Sequence, residues 1–298
     1  MSVKTWNPFP RWNPSPVVLA ETLDGGQAFR WSCADGIWSG QWGESIAHLR
    51  LNNDSLEWQS TGQSEEKTTA ALSRYLAADL DWAALTDALP WRSDPHLAQC
   101  IAAYPRLRIL RQPFGETLLG FLCSATKQIV QIKQMIALLA ERHGLPGNWP
   151  GQIPSGQQVG TKNRLPTWAE LATVPEKDLR ACLLGFRARY IAETAKFIAT
   201  RPGWLEETEH LPYPEAKARL LELPGVGEKV ADCVLLFGAG KLEAFPVDTW
   251  VLKSLARRYG LDDWKPAQVA HFGRTHFGPL AGLAQQYLFS WERKFGGR

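Results

Sequence analysis

The sequence of 298 residues has few cysteines and no long apolar run. Its cysteines lie far apart without a CxxC pair, so their spacing indicates neither a zinc site nor an iron–sulfur cluster. No segment approaches the ~20 apolar residues of a membrane span, and the first dozen residues lack an apolar core of signal-peptide length. We expect free thiols, no membrane partner, and a reducing cytoplasmic setting in a bacterium, or a nuclear one in a eukaryote. The five are Cys33, Cys100, Cys123, Cys182 and Cys233.

Negative charge is concentrated at the start of the chain, and positive charge follows it. Residues 1–100 contain 7 Lys and Arg against 12 Asp and Glu, a net charge of −5, whereas the remainder carries 26 against 18, a net charge of +8. Most of the basic excess lies between Arg106 and Lys196. A basic surface on one part of a protein suits a polyanion such as DNA, because neutralised phosphates release counterions. A solvated charged surface is the alternative.

Residue periodicity divides the chain into two parts. Apolar and polar residues alternate between turn signals in the first 65 residues, which predicts antiparallel strands. From about Lys67 the apolar residues recur three and four apart, which predicts helices, and a Gly/Pro-rich stretch at 145–166 predicts an exposed loop. We expect an N-terminal β-rich domain at 1–95 and an α-helical domain at 96–298. The strands are predicted at 28–33, 37–42 and 46–51, and the helical periods at 68–89, 116–144 and 190–200.

A helical hairpin is predicted at 214–238. Its first helix should end at Leu223, its turn is Pro224-Gly225-Val226-Gly227, and its second helix has an apolar face formed by Val230, Cys233, Val234 and Phe237. Two glycines around Val226 permit a sharp bend, and the backbone N–H groups at the start of the second helix favour an anion such as a DNA phosphate. Glycine-containing hairpins are also common without DNA, so the turn alone leaves a purely structural role open.

Lys229 and Asp248 are the candidate catalytic residues. Lys229 lies in the first turn of the second helix, where the helix dipole and partial burial favour a neutral amine. Such an amine can attack the anomeric carbon of a deoxynucleotide, expel the base and form a Schiff base. Asp248 precedes another helical period and should be its N-cap, where backbone N–H groups would give the carboxyl a low pKa and let it stabilise a cationic sugar. An exposed lysine and a simple cap are the alternatives.

The sequence LPGVGEKVADC (223–233), followed nineteen residues after its lysine by Asp248, resembles the helix-hairpin-helix DNA glycosylases. The lysine just after the hairpin resembles the 8-oxoguanine glycosylase branch in particular. This resemblance implies an α+β fold: an N-terminal antiparallel β-sheet domain like a TATA-binding-protein lobe, then a two-lobed all-α glycosylase domain. It also implies Lys229 as nucleophile, Asp248 as transition-state stabiliser, and strand cleavage by β-elimination. No redox cofactor is needed, but a monovalent cation would be held by the backbone carbonyls of Leu221, Leu223 and Val226.

Two further patches resemble the family's base pocket. LDGGQAFRW (23–31) is similar to an N-terminal signature, and the resemblance implies that the Gly26 carbonyl accepts the N7 proton found on 8-oxoguanine but not on guanine. AGLAQQYLFS (281–290) resembles the family's pocket helix, which implies that Gln285 binds the Watson–Crick edge and Phe289 stacks on the flipped base. Cys233 would pack on the other face of the base. The alternatives are a tight turn for Gly26, an exposed polar residue for Gln285, and core packing for Phe289 and Cys233.

Other patches resemble the family's DNA-contacting segments. In LGFRARYI (184–191), Phe186 would fill the gap left by the extruded nucleotide and Arg187 would touch the estranged base. The stretch 106–129 resembles a helix leading to a minor-groove loop, where Thr126 and Gln131 would face the opposite strand. Residues 125–128 are Ala-Thr-Lys-Gln where animal and fungal members have an Asn-rich run, Gln131 replaces an arginine, and Trp250 replaces a phosphate-contacting histidine. A preference for cytosine opposite the lesion therefore remains open.

The sequence thus predicts a monomeric enzyme acting on double-stranded DNA that contains oxidised guanine. Two rival functions remain at this stage. One is a helix-hairpin-helix glycosylase for another damaged purine, such as an alkylated base, and the presence of Lys229 argues against it. The other is a non-catalytic protein that binds damaged DNA, for which Lys229 and Asp248 would be a coincidence.

Overall fold

The structure, a computed structural model, describes residues 5–53, 55–60, 64–146 and 163–296. Five strands of the N-terminal part form one antiparallel sheet in the order β1-β5-β4-β3-β2. The predicted α+β fold class is confirmed. The first predicted strand begins three residues late, because residues 25–30 form a turn that includes Gly26 at φ +115°. The strands are β1 Asn7–Pro8, β2 Trp31–Ala34, β3 Ile37–Trp42, β4 Ser45–Asn52 and β5 Ser55–Ser60.

Aromatic side chains attach the sheet to the helix that follows it. The rings of Trp31 and Trp42 are stacked with centroids 5.8 Å apart, and Trp42 lies 4.4 Å from the ring of Tyr75. The Trp31 indole N–H donates to the Tyr75 hydroxyl at 2.9 Å, so the buried indole has a partner. A helix that the β-strand pattern did not predict, α1 Pro16–Asp24, begins at the Ser15 cap and leads directly to the turn at Gly26.

The rest of the described chain is helical. Helices α2 to α4 follow the sheet, and α5 to α15 follow them along the chain. The bounds are α2 Glu65–Tyr75, α3 Trp82–Asp87, α4 Pro95–Ala103, α5 Phe114–Leu122, α6 Ile129–His143, α7 Trp168–Ala172, α8 Glu176–Leu179, a π-helical turn Arg180–Leu184, α9 Arg187–Ala199, α10 Trp204–His210, α11 Tyr213–Leu221, α12 Glu228–Phe237, α13 Thr249–Tyr259, α14 Pro266–Phe277, a 3₁₀ turn Gly278–Leu280 and α15 Ala281–Phe295.

The helical period predicted at 116–144 belongs to two helices. Helix α5 ends at Leu122, and α6 begins only at Ile129. Between them Thr126 has φ +54°, a left-handed conformation that no helix interior accepts. Of the predicted loop at 145–166, residues 147–162 lie outside the described residues, and Pro146 pairs with Asn163 across them.

The hairpin is formed by α11 and α12. Helix α11 ends at Leu221, two residues earlier than predicted, and Lys229 lies in the first turn of α12, as predicted. The predicted apolar face of α12 is buried at all four positions. All five cysteines are free thiols, as expected. In the described parts of the chain, no helix combines the length and apolar character needed to cross a membrane.

Candidate active site

A cavity of about 790 Å³ opens where the N-terminal part meets the helices. It is bounded by the turn after α1, the α5–α6 loop, the first turns of α12 and α13, and α15. The cavity therefore collects residues from five segments of the chain. Its lining includes eight residues that the sequence singled out as candidates, namely Gly26, Thr126, Gln131, Lys229, Cys233, Asp248, Gln285 and Phe289.

The Lys229 amine lies on the cavity wall, half-buried, at the start of α12. Its Nζ donates to the Ser124 hydroxyl at 3.1 Å and lies 5.2 Å from the centroid of the Phe121 ring. Ser124 lies two residues after the end of α5, so a distant part of the chain positions the amine of α12.

Asp248 caps α13, as the sequence predicts, and lies on the wall of the same cavity. One carboxylate oxygen accepts the backbone N–H of Trp250 at 3.0 Å and that of Val251 at 2.9 Å. The expectation of a low pKa is wrong. Burial raises the pKa of Asp248 above its ordinary value, and the opposing effects of these N–H groups and of the nearby Lys229 charge are smaller.

Gly26 and Phe289 face each other across one end of the cavity. Gly26 has φ +115°, and a Cβ there would lie 3.2 Å from Ile129 Cδ1 and 3.7 Å from Phe289 Cζ. Glycine is therefore required for its backbone conformation and for the close approach of Ile129. The guanidinium of Arg293 lies 5.5 Å from the Phe289 ring centroid and pairs with Glu21 at 2.5 Å. This pair connects the pocket helix α15 with α1.

Gln285 and Cys233 form the deeper wall of the cavity. Gln285 is only 4% exposed, yet its Oε1 has no hydrogen-bond partner within the described structure. A buried unsatisfied acceptor is costly, so it is suited to a ligand that donates a hydrogen bond. Burial raises the pKa of the Cys233 thiol to about 12, so this side chain is neutral and can pack against a ring.

The hairpin turn lies beside the cavity rather than in it. Gly225 has φ +79°, and a Cβ there would lie 2.6 Å from the Tyr190 ring. Gly225 and Gly227 are exposed, whereas Val226 is buried. Gly227 caps α12 without a side-chain hydrogen bond, so no side chain of the cap competes for the N–H groups of the first turn. The turn can therefore accept an anion from solvent.

The carbonyls expected to hold a cation lie between the end of α11 and the hairpin turn. The Leu223 carbonyl accepts the Val226 N–H at 3.1 Å, which leaves its second lone pair for another partner. The carbonyl oxygens of Leu221, Leu223 and Val226 are neutral, hard ligands, a type of ligand that suits a monovalent cation. In the described ranges, His, Cys, Asp and Glu side chains form no group of three or more that could hold a metal ion.

Phe186 and Arg187 have different environments although they are adjacent. Phe186 is 52% exposed, as a wedge requires, but Arg187 is only 3% exposed. The Arg187 guanidinium donates to the Ala125 carbonyl and, at 2.9 Å, to the Thr126 hydroxyl. The structure therefore does not present Arg187 to an estranged base as the sequence suggested. It uses Arg187 to join the turn before α9 to the α5–α6 loop.

Three residues of the site were missed from the sequence. Ser124 contacts the lysine, Ile129 packs over Gly26, and Arg293 lies against Phe289. Arg293 was detectable, because it lies four residues after Phe289 and so shares its helix face. No local pattern indicates Ser124 or Ile129, whose roles depend on the packing of α5 and α6.

Gln131 is exposed and receives the Gln128 N–H on its side-chain oxygen at 3.2 Å, closing the first turn of α6.

The fold and the cavity are those of a helix-hairpin-helix DNA glycosylase. Residues 119–275 match the model of the HhH-GPD superfamily of base excision DNA repair proteins, and residues 11–118 match the N-terminal domain of 8-oxoguanine DNA glycosylase. The chain belongs to the 8-oxoguanine DNA glycosylase family.

Individual proteins support this assignment along almost the whole chain. The N-glycosylase/DNA lyase OGG1 of Arabidopsis thaliana is 31% identical over 301 residues, covering 94% of this chain and 80% of its own. The apo-form of the Clostridium acetobutylicum 8-oxoguanine glycosylase/lyase superposes with a TM-score of 0.82 at 33% identity over 92% of each chain. Its complex with dsDNA containing cytosine opposite 8-oxoG gives a TM-score of 0.86 at 30% identity, covering 99% of this chain and 100% of the other.

Proposed function

We propose that the protein removes 8-oxoguanine from duplex DNA with Lys229 as the nucleophile, and then cleaves the strand by β-elimination. One observation carries the proposal: the Lys229 amine and the Asp248 carboxylate lie on the wall of one cavity that is large enough for a nucleotide. The glycosylase and lyase activities are those of the family. The partner is double-stranded DNA containing oxidised guanine, bound by a monomer.

The pocket residues suit an everted base. Bases in a duplex are stacked, so the enzyme must extrude the nucleotide and hold the base by stacking and by hydrogen bonds to its edge. Phe289 supplies one face and Cys233 the other, while the unpartnered Oε1 of Gln285 accepts from the Watson–Crick edge. The Gly26 carbonyl accepts the N7 proton that distinguishes 8-oxoguanine from guanine.

Excision begins when the Lys229 lone pair forms a bond to C1′. The glycosidic bond breaks, and its electron pair leaves with the base, which takes up a proton. Asp248 stabilises the positive charge that develops on the sugar. Because burial raises the pKa of Asp248, this carboxylate is also a stronger base than an exposed aspartate. It can take a proton from the amine before attack and pass it to the departing base, so that it is ionised again as the charge develops on the sugar.

Strand cleavage follows from the covalent intermediate. Loss of a proton from Nζ and opening of the sugar ring, with a proton passing to O4′, give a Schiff base between Nζ and C1′. Removal of a proton from C2′ then expels the 3′ phosphate together with the electron pair of its C–O bond. Water finally hydrolyses the imine and releases the lysine. The chemistry needs no redox cofactor.

Residues around the mouth of the cavity bind the duplex. The exposed turn at Gly225, Val226 and Gly227 binds a phosphate through backbone N–H groups, and Phe186 fills the space left by the extruded nucleotide. The carbonyls of Leu221, Leu223 and Val226 would hold a monovalent cation, whose charge would attract the same phosphate. Thr126 of the α5–α6 loop and Gln131 of the first turn of α6 face the opposite strand, and Arg187 fixes the loop.

Borohydride trapping tests the proposal directly. A duplex containing 8-oxoguanine is incubated with the protein and reduced, and a covalent protein–DNA adduct is sought on a denaturing gel. Wild type and Lys196→Gln, which changes an exposed lysine of α9, should form the adduct, and Lys229→Gln should not. Release of 8-oxoguanine without any adduct would indicate a nucleophile other than Lys229, such as water. A glycosylase for another damaged purine would leave this duplex intact and release its base only from a duplex that carries an alkylated purine. Binding with neither product would indicate a non-catalytic DNA-binding protein.

A further inference from the structure

Leu183 is an exposed leucine in an unfavourable backbone conformation. It lies in the π-helical turn Arg180–Leu184 between α8 and α9, with φ +63° and ψ +15°. Its side chain is 53% exposed, whereas those of Cys182 and Leu184 on either side are completely buried. A left-handed conformation is costly for leucine, and an exposed side chain recovers little of that cost by packing. Such outliers are retained mainly where function needs them.

The turn that carries Leu183 is held in place on both sides. Arg142 of α6 donates from Nη1 to the Ala181 carbonyl at 2.8 Å, and Arg187 of α9 donates from Nη1 to the Leu184 carbonyl at 3.2 Å. With the buried neighbours of Leu183, these bonds fix the backbone before and after it. An exposed side chain on a fixed backbone is pre-organised for a contact with another molecule.

The same turn lies at the edge of the cavity. Phe186 follows Leu183 by three residues and is similarly exposed, and Arg187 ties the turn to Ala125 and Thr126 of the cavity wall. Gly185 lies between the two apolar residues, and no described atom comes within 4 Å of where its Cβ would be. The backbone between the two exposed side chains is therefore open to solvent on that side.

We propose that Leu183 is a second wedge, inserted into the minor groove beside Phe186 and packed between base pairs next to the lesion. The inference rests on the proposed function, because it needs the duplex to lie across the cavity mouth. DNA-bending proteins insert leucine and phenylalanine in this way to unstack base steps. An isobutyl group has no donor or acceptor, so Leu183 helps to open the duplex without reading the identity of the opposite base.

The test uses the full chain and a duplex that carries a tetrahydrofuran abasic analogue with 2-aminopurine as the neighbouring base. The fluorescence of 2-aminopurine rises when the base is unstacked. Leu183→Ala and Leu183→Gly should bind this duplex about tenfold more weakly than wild type, as expected for one leucine side chain left unburied. Both should lose most of the fluorescence rise. Val17→Ala, which removes a 56%-exposed apolar side chain from α1, is the matched control and should behave as wild type.

Thermal melting separates this role from a structural one. Leu183→Gly relieves the left-handed strain and should melt at or above the temperature of Leu183→Ala. The loss of affinity should be equal opposite cytosine and opposite adenine. Wild-type affinity and fluorescence in both variants, or a loss confined to one opposite base, would overturn the second wedge. If wild type forms no borohydride adduct with 8-oxoguanine DNA, the proposed function itself fails, whatever the Leu183 variants do.

Discussion

The Lys229 amine and the Ser124 hydroxyl lie 3.1 Å apart, and the amine is the donor. The hydroxyl donates its own proton to the Phe121 carbonyl at 2.7 Å, so its lone pairs are free to accept from the lysine. The Nζ atom, which belongs to α12, is therefore held on the cavity wall by a residue that follows α5. A lysine with several freely rotating bonds is thereby confined to one region of the cavity.

We expect Ser124→Ala to slow adduct formation about tenfold, because the unrestrained amine spends less time in the attacking geometry. Ser124→Thr keeps the hydroxyl and should retain most of the rate. Single-turnover borohydride trapping measures both variants. A wild-type rate in Ser124→Ala would mean that the substrate alone positions the amine.

Asp248→Asn should separate activity from stability. Excision should fall about 100-fold, because a neutral amide stabilises a cationic sugar poorly. The pKa of Asp248 is raised in the folded protein, so its contribution to stability is greatest below about pH 3.8 and declines as pH rises through the folded-state pKa. Asparagine is also a good N-cap. Calorimetry at pH 7 should therefore show a melting temperature no lower than that of wild type, and a clear decrease would refute this account.

The raised pKa of Asp248 also predicts how the rate of excision falls at low pH. The carboxylate acts in its ionised form, so single-turnover excision should decline as pH falls through a value above the ordinary 3.8 of aspartate. Excision measured from pH 4 to 8 locates this decline. The residual excision rate of Asp248→Asn should not show this decline at low pH. The same decline in both proteins would mean that another group titrates.

Gly26→Ala tests the close approach at the base pocket. The added Cβ would meet Ile129 at 3.2 Å in addition to adopting an unfavourable positive φ. Gly36→Ala is a matched control, since Gly36 has φ +76° and no described atom lies within 4 Å of the new Cβ. Both variants should lose about 1 kcal/mol of folding free energy from backbone strain. Only Gly26→Ala should lose selectivity for 8-oxoguanine over guanine, measured as the ratio of excision rates.

Gln285→Met removes the unpartnered acceptor and keeps the volume of the side chain. Because the buried Oε1 has no described partner, its removal should leave the free energy of unfolding unchanged or raise it by ~1 kcal/mol. Excision of 8-oxoguanine should fall about tenfold to a hundredfold, as one edge hydrogen bond is lost. Denaturant unfolding and single-turnover kinetics on the same sample measure the two effects. A destabilised variant would show that the amide has a structural partner instead.

Local signals in the sequence were sufficient for the elements that carry the chemistry. The glycines of the hairpin, the helical period of α12 and the capping position of Asp248 each depend on a few neighbouring residues, and the structure has all three. The raised pKa of Asp248 was not predictable, because it depends on burial by elements far away in sequence. The ends of α5 and α6 were not predictable from periodicity either, because the apolar period at 116–144 does not mark the break at residues 123–128.

The burial of Arg187 was also not predictable from its neighbours in the sequence. Its place after Phe186 suggested a contact with DNA, but its burial results from the α5–α6 loop, whose path no short motif encodes. The second exposed apolar residue of that turn, Leu183, is likewise visible only once its backbone angles are known.

The bonds from Arg187 to Ala125 and Thr126 have a consequence for protein engineering. Redesign of opposite-base selectivity would naturally begin at Thr126, but replacing its hydroxyl also removes an anchor of the segment that carries Phe186. Any library at position 126 therefore samples duplex opening together with partner discrimination. Variants that preserve a hydroxyl at position 126 and keep Arg187 are the ones in which a change of selectivity can be attributed to base reading alone.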